Sequence, residues 1–382
     1  MKRWTGILLA VVLLFTLLPI TAQATDLEVN AKSAVLIDLA TGTVLYEQNS
    51  HTALPPASVT KVMTMLLVME AIDDGRIQWQ DTVTASENAA AKGGSQIFLK
   101  VGETMSVEEM LKSVAVSSAN DCACALAEHI YGSESAFVEM MNQRAAELGM
   151  QDTHFVNCTG LDDDPNAQEH RTSAYDIARM SRELLTQHPE IKKYTTIWMD
   201  TVRNGAFGLS NTNKLVRFYQ GATGLKTGFT SEAGYCLSAS AMREDMELVA
   251  VVLGCETSSQ RFSACKTMLD YGFANYATVR PEMPGTATVP VVLGNQDSVT
   301  AVPGSQNALL IDKSQRSQIS TKIELDPQVN APVSKGQRLG TLHILSGEQT
   351  IAQVPLLAEE SVAKLTYPQL FLKVLKRLSM AK

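Results

Sequence analysis

Leu54-Pro55-Pro56-Ala57-Ser58-Val59-Thr60-Lys61-Val62-Met63 sets a serine and a lysine three residues apart where an apolar helical period begins. Val59, Val62, Met63, Leu66, Leu67 and Met69 recur at helical spacing until Asp73-Asp74-Gly75 stops them. Residues three apart lie on one helix face, so Lys61 comes within reach of Ser58 Oγ. Ser58 falls near the first turn, where free backbone N–H groups and the helix dipole favour a developing anion. Its hydroxyl still needs a base. Lys61 can serve as one only if burial or a second cation disfavours its ammonium form. Val59, Val62 and Met63 flank it, and Lys226 is the expected second cation.

Ser-x-x-Lys also occurs at Ser263, Ser361 and Ser379, but all three follow the one Lys-Thr-Gly of the chain, Lys226-Thr227-Gly228. The ordered set that makes chemical sense is Ser58-Val59-Thr60-Lys61, then Ser118-Ala119-Asn120, then Lys226-Thr227-Gly228. Ser86-Glu87-Asn88 lies in the same interval as Ser118, yet Ser followed by Glu-Asn-Ala-Ala-Ala reads as a capped helix start. Ser118 and Asn120 are expected to project a hydroxyl and an amide from a turn, shuttling a proton to a leaving amine and holding Lys61 and the substrate amide. Lys226-Thr227-Gly228 reads as a strand, with Lys226 and Gly228 on one side, backbone free to pair with an extended peptide, and Gly228 allowing close approach.

The 382 residues are 45% hydrophobic and 19% charged, ordinary for a globular chain of two or more domains. Lys2 and Arg3, the apolar run Ile7 to Ile20, and Ala22-Gln23-Ala24 read as a secretory signal peptide over residues 1–24. Its removal takes the formal charge from −8 to −10, since Lys2 and Arg3 are its only charged residues. An acidic chain lacks the basic footprint of a nucleic-acid binder. The six cysteines sit in a chain read as exported, but a domain of this size folds without disulfides. Cys122-Ala123-Cys124 lies in an apolar helical stretch and reads as buried thiols. His-Glu-x-x-His, Gly-x-Ser-x-Gly and Gly-x-x-x-x-Gly-Lys are all absent, so neither metal nor cofactor is implied.

Ala34–Glu47 reads as a hairpin around Ala40-Thr41-Gly42, residues 104–150 and 173–187 as helices, and 225–229, 234–242 and 246–254 as strands. Strands at both ends with helices between predict an α+β domain over residues 25–279: one antiparallel sheet of about five strands, its first two from the N-terminus, closed by a helix over 261–276. Over 280–365, short β-branched runs separated by Pro, Gly, Asn and Asp predict a small all-β domain. In residues 366–382, Leu370, Phe371, Val374, Leu375 and Leu378 share a helical face opposite Lys373, Lys376 and Arg377, the pattern of a membrane-surface anchor.

The ordered trio, with Leu54-Pro55-Pro56-Ala57-Ser58 and Asn157-Cys158-Thr159-Gly160-Leu161, resembles the serine D-Ala-D-Ala carboxypeptidases among the low-molecular-mass penicillin-binding proteins, peptidase family S11. The resemblance spans about residues 28 to 365. It implies a DD-peptidase/serine β-lactamase-like domain, a C-terminal β domain and an amphipathic anchor. It also implies Ser58 as nucleophile, Lys61 and Ser118 as proton carriers, Asn120, Lys226, Thr227 and Gly228 as substrate contacts, and an oxyanion hole from the backbone N–H groups of Ser58 and Phe229. Arg261 matches a family arginine suited to a substrate's terminal carboxylate. The implied partners are peptidoglycan stem peptides, with β-lactams as covalent inhibitors. Two departures are Phe229, where some members have His, and Ala119 in place of the commoner Gly. A β-lactamase of class A would want Glu-x-x-x-Asn in the 150–175 stretch, which offers only Glu169. Endopeptidase action stays open on motifs alone, and intact Lys61, Ser118 and Lys226 speak against a purely wall-binding module.

Overall fold

A computed structural model describes residues 27–380 except 164, 281, 284 and 305–307, and gives no side-chain surroundings for 376–380. The stretch read as a signal peptide lies outside the described residues. The five-stranded sheet runs Val44–Gln48, Ser33–Asp38, Met246–Cys255, Gly234–Arg243, Ala222–Thr230, every neighbour antiparallel. Its first two strands come from the N-terminus, as the sequence predicts.

Side chains alternate across a strand. Here both faces are covered. Val35, Ile37, Val249, Val251 and Leu253 join the core beneath the helices, whereas Ala34, Leu36, Ala250 and Val252 pack with Cys265, Met268, Leu269 and Phe273 of helix Ser258–Asn275. Two-sided burial explains why these strands read as continuous apolar runs.

Lys61–Asp73 is enclosed on nearly every side, with Val62, Met63, Met65, Leu66, Leu67, Val68 and Met69 all buried. Helices Val107–Ser117, Asn120–Tyr131 and Ala174–Gln187 surround it. A helix apolar all round belongs in the middle of its layer. The turn that carries Ser58 therefore leads into a deeply buried helix.

The closing helix begins three residues earlier than predicted. Thr257 and Gln260 form a reciprocal capping box that starts it at Ser258. Arg261 is thus inside the helix. Two short antiparallel strand pairs, Thr82–Thr84 with Thr104–Ser106 and Met199–Val202 with Phe207–Ser210, were not predicted, their strands being too short to show a period.

The C-terminal β region holds a six-stranded sheet with Val289, Val299, Leu339, Leu342, Ile344, Val354 and Leu356 in its core. Leu309–Asp312 departs from the expectation of one small domain. It pairs instead with Tyr276–Val279, directly after the closing helix, and so stitches the two regions together. The last helix is Tyr367–Met380. Phe371 is 65% exposed and Val374 48%, with Leu372 and Leu375 also exposed, while Lys373 reaches Gly294 O and Asp297 of the β region. Among the described residues, no helix is long and apolar enough to cross a membrane.

Candidate active site

Ser58 lies on a 3-10 turn, Ala57–Thr60, that runs straight into the helix opened by Lys61. Lys61 Nζ is 2.8 Å from Ser58 Oγ and donates at 2.7 Å to Thr159 O. As the ammonium it donates to Oγ; as the free amine it accepts the hydroxyl proton. The side chain is fully buried, and this loss of hydration pushes its pKa from 10.5 to about 7, against the opposing pull of Cys158 and Asp121. Burial thus meets the condition that the sequence reading set for a lysine base.

Thr159 O, not Ser118 or Asn120, holds Lys61, which corrects the expectation. The carbonyl is aimed by Asn157, whose Oδ1 accepts from Thr159 N at 3.1 Å and Gly160 N at 2.7 Å while Nδ2 donates to Leu161 O. One turn further along the Lys61 helix, Thr64 donates to Cys158 O at 2.6 Å. Two side chains of one helix therefore clamp two successive carbonyls of this loop. Asn-x-Thr-Gly is a sequence pattern that favours such a side-chain-organised turn and could have pointed to it.

Gly160 has φ +78°, and a Cβ there would stand 1.9 Å from Ala57 O. Gly228 is needed for a related reason. Its missing Cβ would lie 2.6 Å from Pro56 O and 3.1 Å from Ser58 N, so the strand abuts the turn that carries Ser58. Close approach at Gly228 is thus already used within the protein, another correction to the reading that reserved it for substrate.

Ser118 caps helix Val107–Ser117 in the left-handed region, φ 62°, and Asn120 opens the next helix. Ser86 instead caps helix Glu87–Ala90, its side chain accepting from Ala89 N, as its surroundings predict. Asn120 Nδ2 donates to Gly93 O, but Asn120 Oδ1, Ser118 Oγ and Arg261 Nε are buried without a hydrogen-bond partner. Buried polar atoms are normally paired. That three of the four such side-chain atoms among the described residues belong to predicted site residues marks where a polar ligand fits.

Lys226 is buried and donates to Thr227 O; burial, then the Lys61 and Arg261 cations, hold its pKa well below the usual value. Arg261 is 9% exposed, donates to Gly228 O at 2.9 Å, and packs against the rings of Tyr235 and Phe262. It is no surface ion pair. Among the described residues, no carboxylate forms a salt bridge with Lys61, Lys226 or Arg261, so the Arg261 guanidinium, which stays charged, has no ion-pair partner there. Thr227 Oγ1 donates to Thr212 Oγ1, and Phe229 is 52% exposed with its ring 4.3 Å from that of Tyr235.

A family model described as D-alanyl-D-alanine carboxypeptidase, Peptidase S11, matches residues 20–257, and one described as the C-terminal domain of penicillin-binding protein 5 matches 279–364. The D-alanyl-D-alanine carboxypeptidase DacF of Bacillus subtilis (strain 168) is 42% identical over 376 residues, 95% of each chain. Penicillin binding protein 5 from Haemophilus influenzae superposes with a TM-score of 0.75 at 32% identity, covering 90% of this chain and 100% of that one. Penicillin-binding protein D2 from Listeria monocytogenes, in its ampicillin-bound form, gives 0.57 at 32% identity over 65% of this chain and 99% of that one. The chain belongs to the D-alanyl-D-alanine carboxypeptidase family, Peptidase S11. Its reaction is that of a D-Ala-D-Ala carboxypeptidase in peptidoglycan remodelling.

With Lys61 as the base, covalent labelling by benzylpenicillin should rise with pH through a midpoint near 7; an acid limb centred near 10 would mean that its ammonium is not disfavoured. Folding stability should rise over the same alkaline side, since between about pH 7 and 10 the unfolded chain keeps a proton at Lys61 that the folded chain has released. Gly160→Ala should cost more than ~2 kcal/mol in urea denaturation, combining left-handed strain with a backbone collision, and should slow labelling.

Proposed function

We propose that Ser58 Oγ attacks the penultimate D-Ala carbonyl of a peptidoglycan stem pentapeptide while Lys61 takes its proton. The Oγ–C bond forms as the C–N bond breaks, and the proton travels through Ser118 to the leaving D-Ala amine. Water then hydrolyses the acyl-enzyme by the reverse route. The Ser58 and Phe229 backbone N–H groups stabilise the oxyanion. Asn120 and the Lys226-Thr227-Gly228 strand bind the peptide, and Lys226 with Arg261 receive its terminal carboxylate. β-Lactams acylate the same serine. The observation that carries this reading is the 2.8 Å approach of a buried, readily neutral Lys61 to Ser58.

Supporting it are the unpartnered Ser118, Asn120 and Arg261 atoms and the relative with bound ampicillin. Mass spectrometry of products from a stem pentapeptide, with and without benzylpenicillin, tests the reaction. Ser58→Ala should abolish both D-Ala release and labelling with the fold intact. Penicillin still attached covalently to that variant would sink the assignment.

The proposal extends to location. We read residues 1–24 as an export signal, 25–279 as the peptidase domain, 280–365 as the β domain and 366–382 as an anchor on the outer face of the cytoplasmic membrane. The exposure of Phe371, Leu372, Val374 and Leu375 supports an anchor over a helix docked on its own domain. Each large apolar side chain buried contributes roughly 1.5–3 kcal/mol and each basic residue about 1 kcal/mol near an anionic leaflet, enough for interfacial binding. Deleting residues 367–382 should release the processed protein from membranes and leave activity on small soluble substrates unchanged. Truncated protein that stays in the membrane fraction overturns the anchor.

A further inference from the structure

The Ala57 carbonyl and the Ser58 N–H belong to one planar peptide group, and the carbonyl ends a hydrogen-bond chain that starts outside the reacting residues. Val156 N donates at 3.1 Å to His170 Nδ1. That nitrogen is then the lone-pair one, so neutral His170 carries its proton on Nε2. His170 Nε2 lies 2.7 Å from Thr60 Oγ1, and Thr60 Oγ1 donates at 2.8 Å to Ala57 O. The two links through Thr60 are buried and the one from Val156 N is part-buried. Burial, then the charges of His154, Arg171 and Lys61, push the imidazole pKa down to about 3, so His170 stays neutral across the working range.

The peptide so held is an unusual one. Ala57 has φ 49°, a conformation that costs an L-residue energy unless its surroundings impose it. They do: Gly160 gives its carbonyl room, and Thr60 fixes the carbonyl from the next turn. In a trans peptide the N–H points away from the C=O. With Ala57 O turned towards Thr60 and Gly160, the Ser58 N–H points the other way, to the side where Gly228 lies close to Ser58 N.

We propose that His170 and Thr60 are positioning residues of the oxyanion hole, orienting the Ala57–Ser58 peptide and polarising its N–H through the accepted hydrogen bond. A carbonyl that accepts from a chain of donors leaves its own amide a stronger donor. This rests on the reading of Ser58 as nucleophile and its N–H as oxyanion donor. Neither side chain touches Lys61 Nζ, whose partners are Ser58 Oγ and Thr159 O. The chain therefore acts on the transition state and not on the base.

The test compares Thr60→Val, which keeps shape and loses the hydroxyl, with Thr60→Ser, which keeps it. Thr60→Val should slow benzylpenicillin acylation about tenfold, less than the 10²–10³ of losing an oxyanion donor outright. On peptide substrate kcat should fall with KM little changed, because the interaction strengthens in the transition state. The pH midpoint of acylation should stay near 7, and Thr60→Ser should restore the rate. His170→Asn, whose amide oxygen can still accept from Val156 N while donation to Thr60 is lost, should show a smaller drop in the same direction; it decides the matter if Thr60→Val does not fold. Thr60→Val acylating at the wild-type rate, an equal loss in Thr60→Ser, or a displaced pH midpoint with an unchanged plateau overturns the inference. Each of those results leaves Ser58 as nucleophile, whereas wild-type protein that benzylpenicillin fails to label on Ser58 defeats the underlying reading itself.

Discussion

Removing the Lys61 ammonium from water, with a hydroxyl and a carbonyl for partners and, among the described residues, no carboxylate in a salt bridge with it, is the constraint around which the site is built. A buried lysine facing an acid would remain charged and useless as a base. The groups in contact satisfy the amine without ion-pairing it, while the Asp121 carboxylate is held by the Ile97, Leu99 and Cys122 amides. The loop Asn157–Leu161 presents a carbonyl, Asn157 holds the loop's own amides, and Gly160 lets it press against the nucleophile's turn. Lys226 and Arg261 are likewise without a salt-bridged carboxylate among the described residues.

The sheet makes this tolerable. A destabilising group is best placed where the surrounding packing is densest, and Lys61 opens a helix buried on nearly all sides. Lys226 enters from the edge strand Ala222–Thr230, whose one sheet neighbour is Gly234–Arg243. Its other side faces the nucleophile's turn at Gly228, and Arg261 donates to the Gly228 carbonyl. The helix layer supplies Ser58 and Lys61, the sheet edge supplies Lys226, the closing helix supplies Arg261, and Gly228 is where the strand and the Ser58 turn meet.

Much of this could be read from the sequence because the reacting groups are side chains in short local patterns. Ser58 with Lys61, Ser118 with Asn120, and Lys226 each carry their chemistry in their own residue type. The sheet was legible because Ser33–Asp38 and Met246–Cys255 are unbroken apolar runs. What stayed hidden was carried by backbone or by distance along the chain. Thr159 acts through its carbonyl, for which any side chain would read the same. Gly228 looked like a substrate surface because its neighbour Pro56 lies far away in sequence. Leu309–Asp312 has a strand's composition, but composition does not name Tyr276–Val279 as its partner. The start of the closing helix was readable after all, in Thr257 and Gln260, whose spacing is that of a capping box.

The sheet order also governs how the chain must fold. Ser33–Asp38 is among the first elements made, and its one early partner is Val44–Gln48; its other edge pairs with Met246–Cys255, with Ala34 opposite Val252. Loop closure over such a separation is slow, and until it happens an apolar strand has an open side. Its counterpart, Leu248-Val249-Ala250-Val251-Val252-Leu253, is the kind of β-prone, uncharged segment that nucleates aggregates. Arg243-Glu244-Asp245 and Glu247 before it, and Glu256 after it, act as gatekeepers in the unfolded chain. The turn that joins two strands of the finished sheet is thus also a solubility device for the period before the sheet exists.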